Sequence, residues 1–283
     1  MRIGIMARTF VRPTLQENLD AVQAHSIRCV QYGFSCAGLP EMPERIDPAL
    51  CDLIRREMEA RGITMSAISG TFNMIHPDLG VRQDGLRRLE ALAAACGRLG
   101  TSVITLCTGT RNLESMWRRH PDNDSAEAWR DMLASMARAL RSAEDHGVTL
   151  AFEPEVSNVV DSAHKARRLL DEMRSPYLKV VMDAANIFHA GELVRMREIV
   201  DEAFDLLGGD VALAHAKDLD RDGEAGHIAA GKGRLDYDQY LSRLAALPGD
   251  LSLILHGLAE SEVDGCVAFL AASPHLSRAD TPV

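Results

Sequence analysis

The sequence predicts an α/β fold of the (β/α)8, TIM-barrel class, with eight parallel strands inside a ring of helices. Three observations carry this. Eight apolar runs of strand length alternate with eight amphipathic segments of helical period along 283 residues, which is the arithmetic of a closed barrel. The rival, an open doubly wound sheet, usually carries a glycine-rich phosphate fingerprint after its first strand. Here that place reads GIMARTFVRP. No linker-like shift of composition interrupts the alternation, so residues 1–272 read as a single domain. The remaining SPHLSRADTPV, 273–283, reads as a frayed tail.

The elements follow in order. RIGIMA from Arg2 opens the first strand and Gln16–Ser26 forms the first helix. IRCVQYGF from Ile27 leads to a helix over Pro48–Arg61, and ITMSAIS from Ile63 to one over Leu86–Leu99. In that third helix Leu86, Leu89, Leu92, Ala93 and Cys96 share one face of a 3.6-residue period. SVITLCT from Ser102 precedes Ala126–His146, before which Asp124 with Glu127 reads as a capping box. VTLAFE from Val148 pairs with Ala163–Met173, and LKVVMD from Leu178 with Glu192–Leu207. VALAHAK from Val211 and LSLILHG from Leu251 precede Tyr237–Leu247 and Ser261–Ala271. Gly62, Gly100 and Gly147 stand where helices should end.

Two connections are longer than the rest, Thr108–Asp124 and Asp218–Asp236. Both leave the C-terminal ends of strands, the barrel face where active sites sit. Loops of that length are usually functional or mobile. They are expected to close over a pocket, with Trp117, Arg118, Arg119 and His120 forming a lid that grips an anionic group.

Composition narrows the classes. Hydrophobic residues make up 46% and charged ones 25%, ordinary for a soluble globular protein. A formal net charge of −10 and no long Lys/Arg tract argue against a nucleic-acid partner, which usually needs a basic face. RIGIMA follows Met1 directly and no apolar run is long enough to span a bilayer, so neither a signal peptide nor a membrane partner is expected. The six cysteines (Cys29, Cys36, Cys51, Cys96, Cys107 and Cys266) are scattered without a C-x-x-C pair, which suits a reduced, cytoplasmic protein. A homo-oligomer is compatible with all of this.

The chemistry gathers where the later strands end. In VTLAFEPEV a buried run delivers Glu153 and Glu155 on either side of Pro154, which cannot donate to a sheet ladder and so stops the strand. Asp183 ends the sixth run, and His215 and His256 lie near the tips of the seventh and eighth. One strand-end acid reads equally well as an ordinary ion pair, and one lone histidine as a satisfied core residue. Four such groups on consecutive, neighbouring strands converge on one point at the barrel mouth. Two carboxylates and two imidazoles suit one divalent first-row ion, Mn, Co, Zn or Fe.

At these residues EPE (153–155), MDAANIF (182–188), AHAKD (214–218) and GKGRLD (231–236) carry a resemblance. They resemble the sugar phosphate isomerase/epimerase branch of the xylose isomerase-like TIM-barrel superfamily, which also includes ketose 3-epimerases, inosose dehydratases and endonuclease IV-type proteins. The resemblance implies a mononuclear metal site fed by strands five to eight, with Glu153, Asp183 and His215 at three of its positions. Two positions depart from the epimerase pattern. Asn186 stands where a histidine is expected three residues after the aspartate, and His256 stands where the eighth strand carries a glutamate.

The implied activity is metal-dependent isomerisation, epimerisation or dehydration of a sugar, keto-inositol or related polyhydroxylated carbonyl compound. Proton abstraction beside a carbonyl needs a Lewis acid and a nearby base. Glu153 is the candidate base, and His256 a candidate ligand, acid or base. Candidate substrate contacts are Asn73, His76, Arg111, Glu155, Asn158, Asn186 and Lys217. The alternatives are a metal-dependent phosphodiester hydrolase of the endonuclease IV type, with several ions and a basic groove, and a non-catalytic sugar-binding barrel.

Overall fold

A computed structural model of the chain describes residues 1–276. Its strands are β1 (Arg2–Met6), β2 (Cys29–Tyr32), β3 (Thr64–Ser69), β4 (Val103–Cys107), β5 (Thr149–Glu153), β6 (Leu178–Met182), β7 (Val211–Asp218), β8 (Ile228–Ala229) and β9 (Ser252–Leu255). All but β8 pair in parallel, each with its neighbour in sequence, and β9 closes the ring by pairing with both β7 and β1. In register, Cys107 stands opposite Glu153 and Val180 opposite Phe152, which aligns the strand tips of β4, β5 and β6. The two-residue β8 has no counterpart in the apolar pattern. It folds back antiparallel on the end of β7, Lys217 opposite Ala229.

Helices α1 (Leu15–Ala24), α2 (Pro48–Ala60), α3 (Leu79–Leu99), α4 (Ala126–His146), α5 (Ala163–Met173), α6 (Met196–Leu207), α7 (Tyr237–Ala245) and α8 (Val263–Ala271) surround the barrel. Their starts follow from side-chain caps. Thr14 and Glu17 form a capping box for α1, and Asp47 caps α2 with Pro48 at its first turn. Some helices begin, or are capped, differently from the sequence reading. Helix α3 begins at Leu79, seven residues before Leu86, capped by Asp78. Its first turn carries Leu79 and Val81 exposed, so no apolar face marks it. Helix α4 is capped by Ser125, whose hydroxyl accepts from Ala128 N. Asp124 instead pairs with Lys165 and Arg119. Gly100 and Gly147 close α3 and α4 in the left-handed region, at φ 82° and 64°.

Two apolar layers result. The outer one joins the strands to the helices. The inner one fills the barrel with Met6, Cys29, Ala67, Ala151, Val181, Leu213 and Ile254, with Val103 packed against them. Every barrel strand thus contributes at least one inward residue. Gly4 completes the fit, because a Cβ there would fall 2.6 Å from Ile254 Cδ1 and 2.8 Å from the Cys29 carbonyl. Above this plug the interior turns polar, and that change positions the site.

The ends of β6 and β7 are tied from outside. The buried Tyr240 hydroxyl of α7 lies 2.8 Å from the carbonyls of both Met182 and His215. Tyr240→Phe should lower unfolding free energy by about 1–2 kcal/mol, the cost of a buried hydrogen bond and its orphaned acceptor. Urea unfolding measures this, and an unchanged midpoint would show that the tie is dispensable.

Residues 273–276 continue from α8 rather than fraying. Leu276 is buried and His275 Nε2 stands 3.0 Å from Asp238 Oδ1. The rest of the expected tail, 277–283, lies outside the described residues. Among the described residues no helix is long and apolar enough to cross a membrane.

Candidate metal centre

Four side chains meet where β5, β6, β7 and β9 end. Glu153 is the last residue of β5. Asp183 follows β6 and caps a short turn, its Oδ1 accepting from Ala185 N at 3.1 Å. His215 lies within β7, and His256 follows β9. Asp183, His215 and His256 each offer one donor atom, all within 4.8 Å of one another. Glu153 joins from the side, its Oε1 3.2 Å from His215 Nδ1. Asp183 and His215 are almost wholly buried, and Glu153 keeps 14% of its side chain exposed.

The donors are prepared for a cation. One atom stands out, His256 Nδ1, buried with no hydrogen-bond partner, while Asp183 Oδ2 has the Lys217 ammonium 3.1 Å away. Such an orphan is rare and expensive unless something satisfies it. His215 turns Nε2 to Gln31 Oε1 at 2.8 Å and so aims Nδ1 at the carboxylates. An outward bond of this kind is what orients a ligating histidine. Asn186 Nδ2 donates to Glu153 Oε1 at 2.6 Å, while its Oδ1 accepts from Gly226 N at 2.8 Å. The residues present therefore fit a divalent first-row ion in number, type and proximity.

Charge is crowded here. Lys217 Nζ stands 3.1 Å from Asp183 Oδ2 and 3.7 Å from Glu153 Oε1. Burial works to raise the Glu153 carboxyl, but His215 and Lys217 outweigh it and hold it well below the usual carboxylate range. Burial raises Asp183 to about 6, with Lys217 opposing and Glu153 reinforcing the shift. Burial, then Lys217 and His215, press His256 well below the usual imidazole range. A neutral imidazole is the form that binds metal.

Of these groups, Glu153, His215, Lys217 and His256 form one wall of a cavity of about 350 Å3, with Asp183 behind them outside its lining. Its remaining lining includes Met6, Arg8, Gln31, Ser69, Thr71, Thr105, Cys107, Trp117 and Glu155. Hydroxyls and an amide face carboxylates across it, a mixture suited to a polyhydroxylated ligand. A larger depression of about 770 Å3 lies beside it, lined by Arg111, Asn112, Leu113, His120 and others. It shares no lining residue with the first and contains none of the converging donors.

The proposed substrate contacts separate accordingly. Glu155 and Lys217 line the cavity, as does Trp117 of the long loop after β4. Asn186 works behind Glu153. Asn73, His76, Arg111 and Asn158 do not line it. Asn73 exchanges hydrogen bonds with the backbone of Thr110, and Asn158 Oδ1 accepts from Gly109 N. His76 Nδ1 accepts from Asp78 N, and Arg111 pairs with Asp131 at 2.6 Å. These four hold the loops in place. In the expected lid, Arg118 pairs with Glu114 and Arg119 with Asp161 and Asp124, both away from the cavity. His120 accepts from Asp122 N and lines the outer depression.

Arg8 and Gln31 were not marked by any motif. Arg8 leaves the tip of β1, with Nη2 3.3 Å from His256 Nε2 and Nη1 3.2 Å from Glu41 Oε1. Their one sequence signal was a polar group at or beyond a strand end.

Known structures share this architecture. The D-tagatose 3-epimerase-like protein superposes with TM-score 0.76 at 13% identity, covering 95% of this chain and 96% of its own. The probable 3-DHS dehydratase AsbF of Bacillus anthracis gives 0.74 at 12% identity, covering 96% and 99%. The IolI protein with a bound zinc atom gives 0.70 at 15%, covering 95% and 96%. A family model described as xylose isomerase-like TIM barrel matches residues 19–255, and the chain belongs to that family.

Proposed function

We propose that the chain is a metal-dependent isomerase or epimerase, with dehydration as the related outcome. Its substrate would be a sugar, keto-inositol or similar polyhydroxylated carbonyl compound. One observation carries this reading: Asp183, His215 and His256 cluster with Glu153 beside them, and all but Asp183 line a polar cavity at the strand C-termini. The structural neighbours, among them a 3-epimerase-like protein and a probable dehydratase, are consistent with it. Glu153, Asp183, His215 and His256 would hold the ion. Bound there, a divalent ion would polarise a substrate carbonyl and steady negative charge on its oxygen.

The protein's own groups supply the proton chemistry. The geometry favours Glu155 over Glu153 as the proton carrier. Glu153 is held ionised, with Oε1 engaged by Asn186 and His215. Glu155 is outside the donor cluster, faces the cavity and has Asn158 Nδ2 at 3.2 Å. Burial raises its carboxyl to about 7, where a group both takes and returns a proton with little penalty. It would take the proton from the carbon beside the carbonyl and return it to the neighbouring carbon for isomerisation, whereas epimerisation would need a second group to reprotonate the first carbon on its opposite face. Loss of a β-hydroxyl instead gives the dehydratase outcome.

The test is elemental analysis of protein purified without chelator, with turnover on a panel of ketoses and keto-inositols. One ion per chain and turnover on at least one compound are expected. Glu155→Gln should keep the metal and lose at least about 100-fold in kcat, as removal of a general base does. A loaded protein that binds sugars without converting any would be a binding barrel instead.

A further inference from the structure

We propose that the Lys217 ammonium is a built-in cation that competes with the divalent ion for Asp183 and Glu153, so that this lysine sets how tightly the chain holds metal. The inference rests on the metal reading above and concerns a different property, affinity.

The ammonium already occupies the electrostatic position of a metal. It stands 3.1 Å from Asp183 Oδ2 and 3.7 Å from Glu153 Oε1. An ion bound to that oxygen at the usual distance of about 2.1 Å would stand no farther than about 5 Å from Nζ. Two cations at that separation, among groups that are almost fully buried, repel strongly, because little water screens them. Binding must therefore overcome the lysine, whereas an uncharged residue would leave both acids without a competing cation.

Withdrawal is hindered. The lysine stem runs through a slot between two glycines. A Cβ at Gly226 would lie 3.3 Å from Lys217 Cβ, and one at Gly257 would lie 3.2 Å from Cδ. Gly257 also holds φ +69°, which disfavours any larger residue there. Behind the stem, the Tyr237 hydroxyl donates to the Lys217 carbonyl at 2.9 Å, and β8 pairs with the same residue.

The same arrangement serves the metal-free protein. Without a cation, two nearly buried negative charges would stand close together with no positive charge between them, which is costly. Lys217 offsets that cost. The lysine thus stabilises the empty fold and weakens the loaded one, two effects of a single charge.

The test measures Zn2+ and Mn2+ affinity of the full chain by competition with a chromogenic chelator, beside thermal unfolding with and without each metal. Lys217→Met and Lys217→Gln should bind at least about tenfold more tightly than wild type. Their metal-free melting temperatures should fall, and the rise on adding metal should exceed that of wild type. Lys217→Arg keeps the charge and should stay near wild-type affinity, so Gln against Arg carries the comparison should the Met variant not fold. Neutral variants that bind no more tightly than wild type would overturn the competition and leave the metal centre standing. Wild type and all variants taking up neither ion would overturn both.

Discussion

Asp183→Asn is expected to lower affinity for a divalent ion by more than about 100-fold and to remove turnover with it. Changes one layer behind a ligand already cost 10- to 100-fold, and this one removes the most buried charged donor. The substitution is nearly isosteric. The Asn carbonyl can still accept from Ala185 N, the bond Asp183 Oδ1 makes at 3.1 Å, so the turn after β6 should survive. Wild type should melt at a higher temperature as metal is added, because an ion that binds only the folded state stabilises it by mass action. The variant should show no such rise at the same metal concentration. A variant that keeps both its metal content and its metal-dependent melting would place the ion elsewhere. His256→Glu makes the complementary comparison. It restores the carboxylate that the epimerase pattern has at the end of the eighth barrel strand, and it should retain the metal.

Much of this fold was written in the sequence because strands buried on both faces appear as contiguous apolar runs. Residues such as Val103–Cys107 and Leu178–Met182 can hardly read otherwise. The clustering of Glu153, Asp183, His215 and His256 was legible for a related reason: an acid or histidine closing such a run is out of place unless something pairs with it. What escaped depends on closure of the ring. Gln31 lies 184 residues from His215 and meets it only because β2 and β7 face each other across the barrel. Arg8 reaches His256 only because β1 pairs with β9. Several expected rim contacts lie off the cavity for a local reason. Asn73, Arg111 and Asn158 had the right chemistry for a sugar, but asparagine also satisfies turn backbones, and these two do so. Lys217 was placed at the rim by its position two residues after His215. A period-2 strand sets both side chains on one face, and that alternation brings the lysine into the acid cluster rather than to solvent.

Asp218→Ala should be among the most destabilising single changes in the chain, lowering unfolding free energy by about 3 kcal/mol or more. The sequence suggests a loop from Asp218 onward, yet β7 continues through this residue and its carboxylate is buried. Oδ1 accepts from Leu219 N at 2.8 Å and Leu235 N at 2.9 Å, and Oδ2 from Gly233 N at 2.9 Å. Three backbone donors from both ends of the long connection converge on one side chain. The approach is close enough that a Cβ on Gly233 would fall 2.4 Å from Oδ1 and 2.5 Å from the Leu219 carbonyl. Truncation to alanine leaves all three N–H groups without their acceptor, at about 1–3 kcal/mol for each buried one. Asp218→Asn keeps one oxygen but turns an NH2 toward an N–H donor, so it should recover only part of the loss. The damage should also reach the metal centre. The loop that Asp218 anchors carries Gly226, whose N–H holds Asn186, and Asn186 in turn fixes Glu153. Urea unfolding reads the first effect, and chelator competition on the folded variant reads the second. Stability within about 1 kcal/mol of wild type would mean that the loop is held elsewhere. A stability loss with unchanged metal affinity would mean that Asn186 keeps Glu153 in place without the loop behind it.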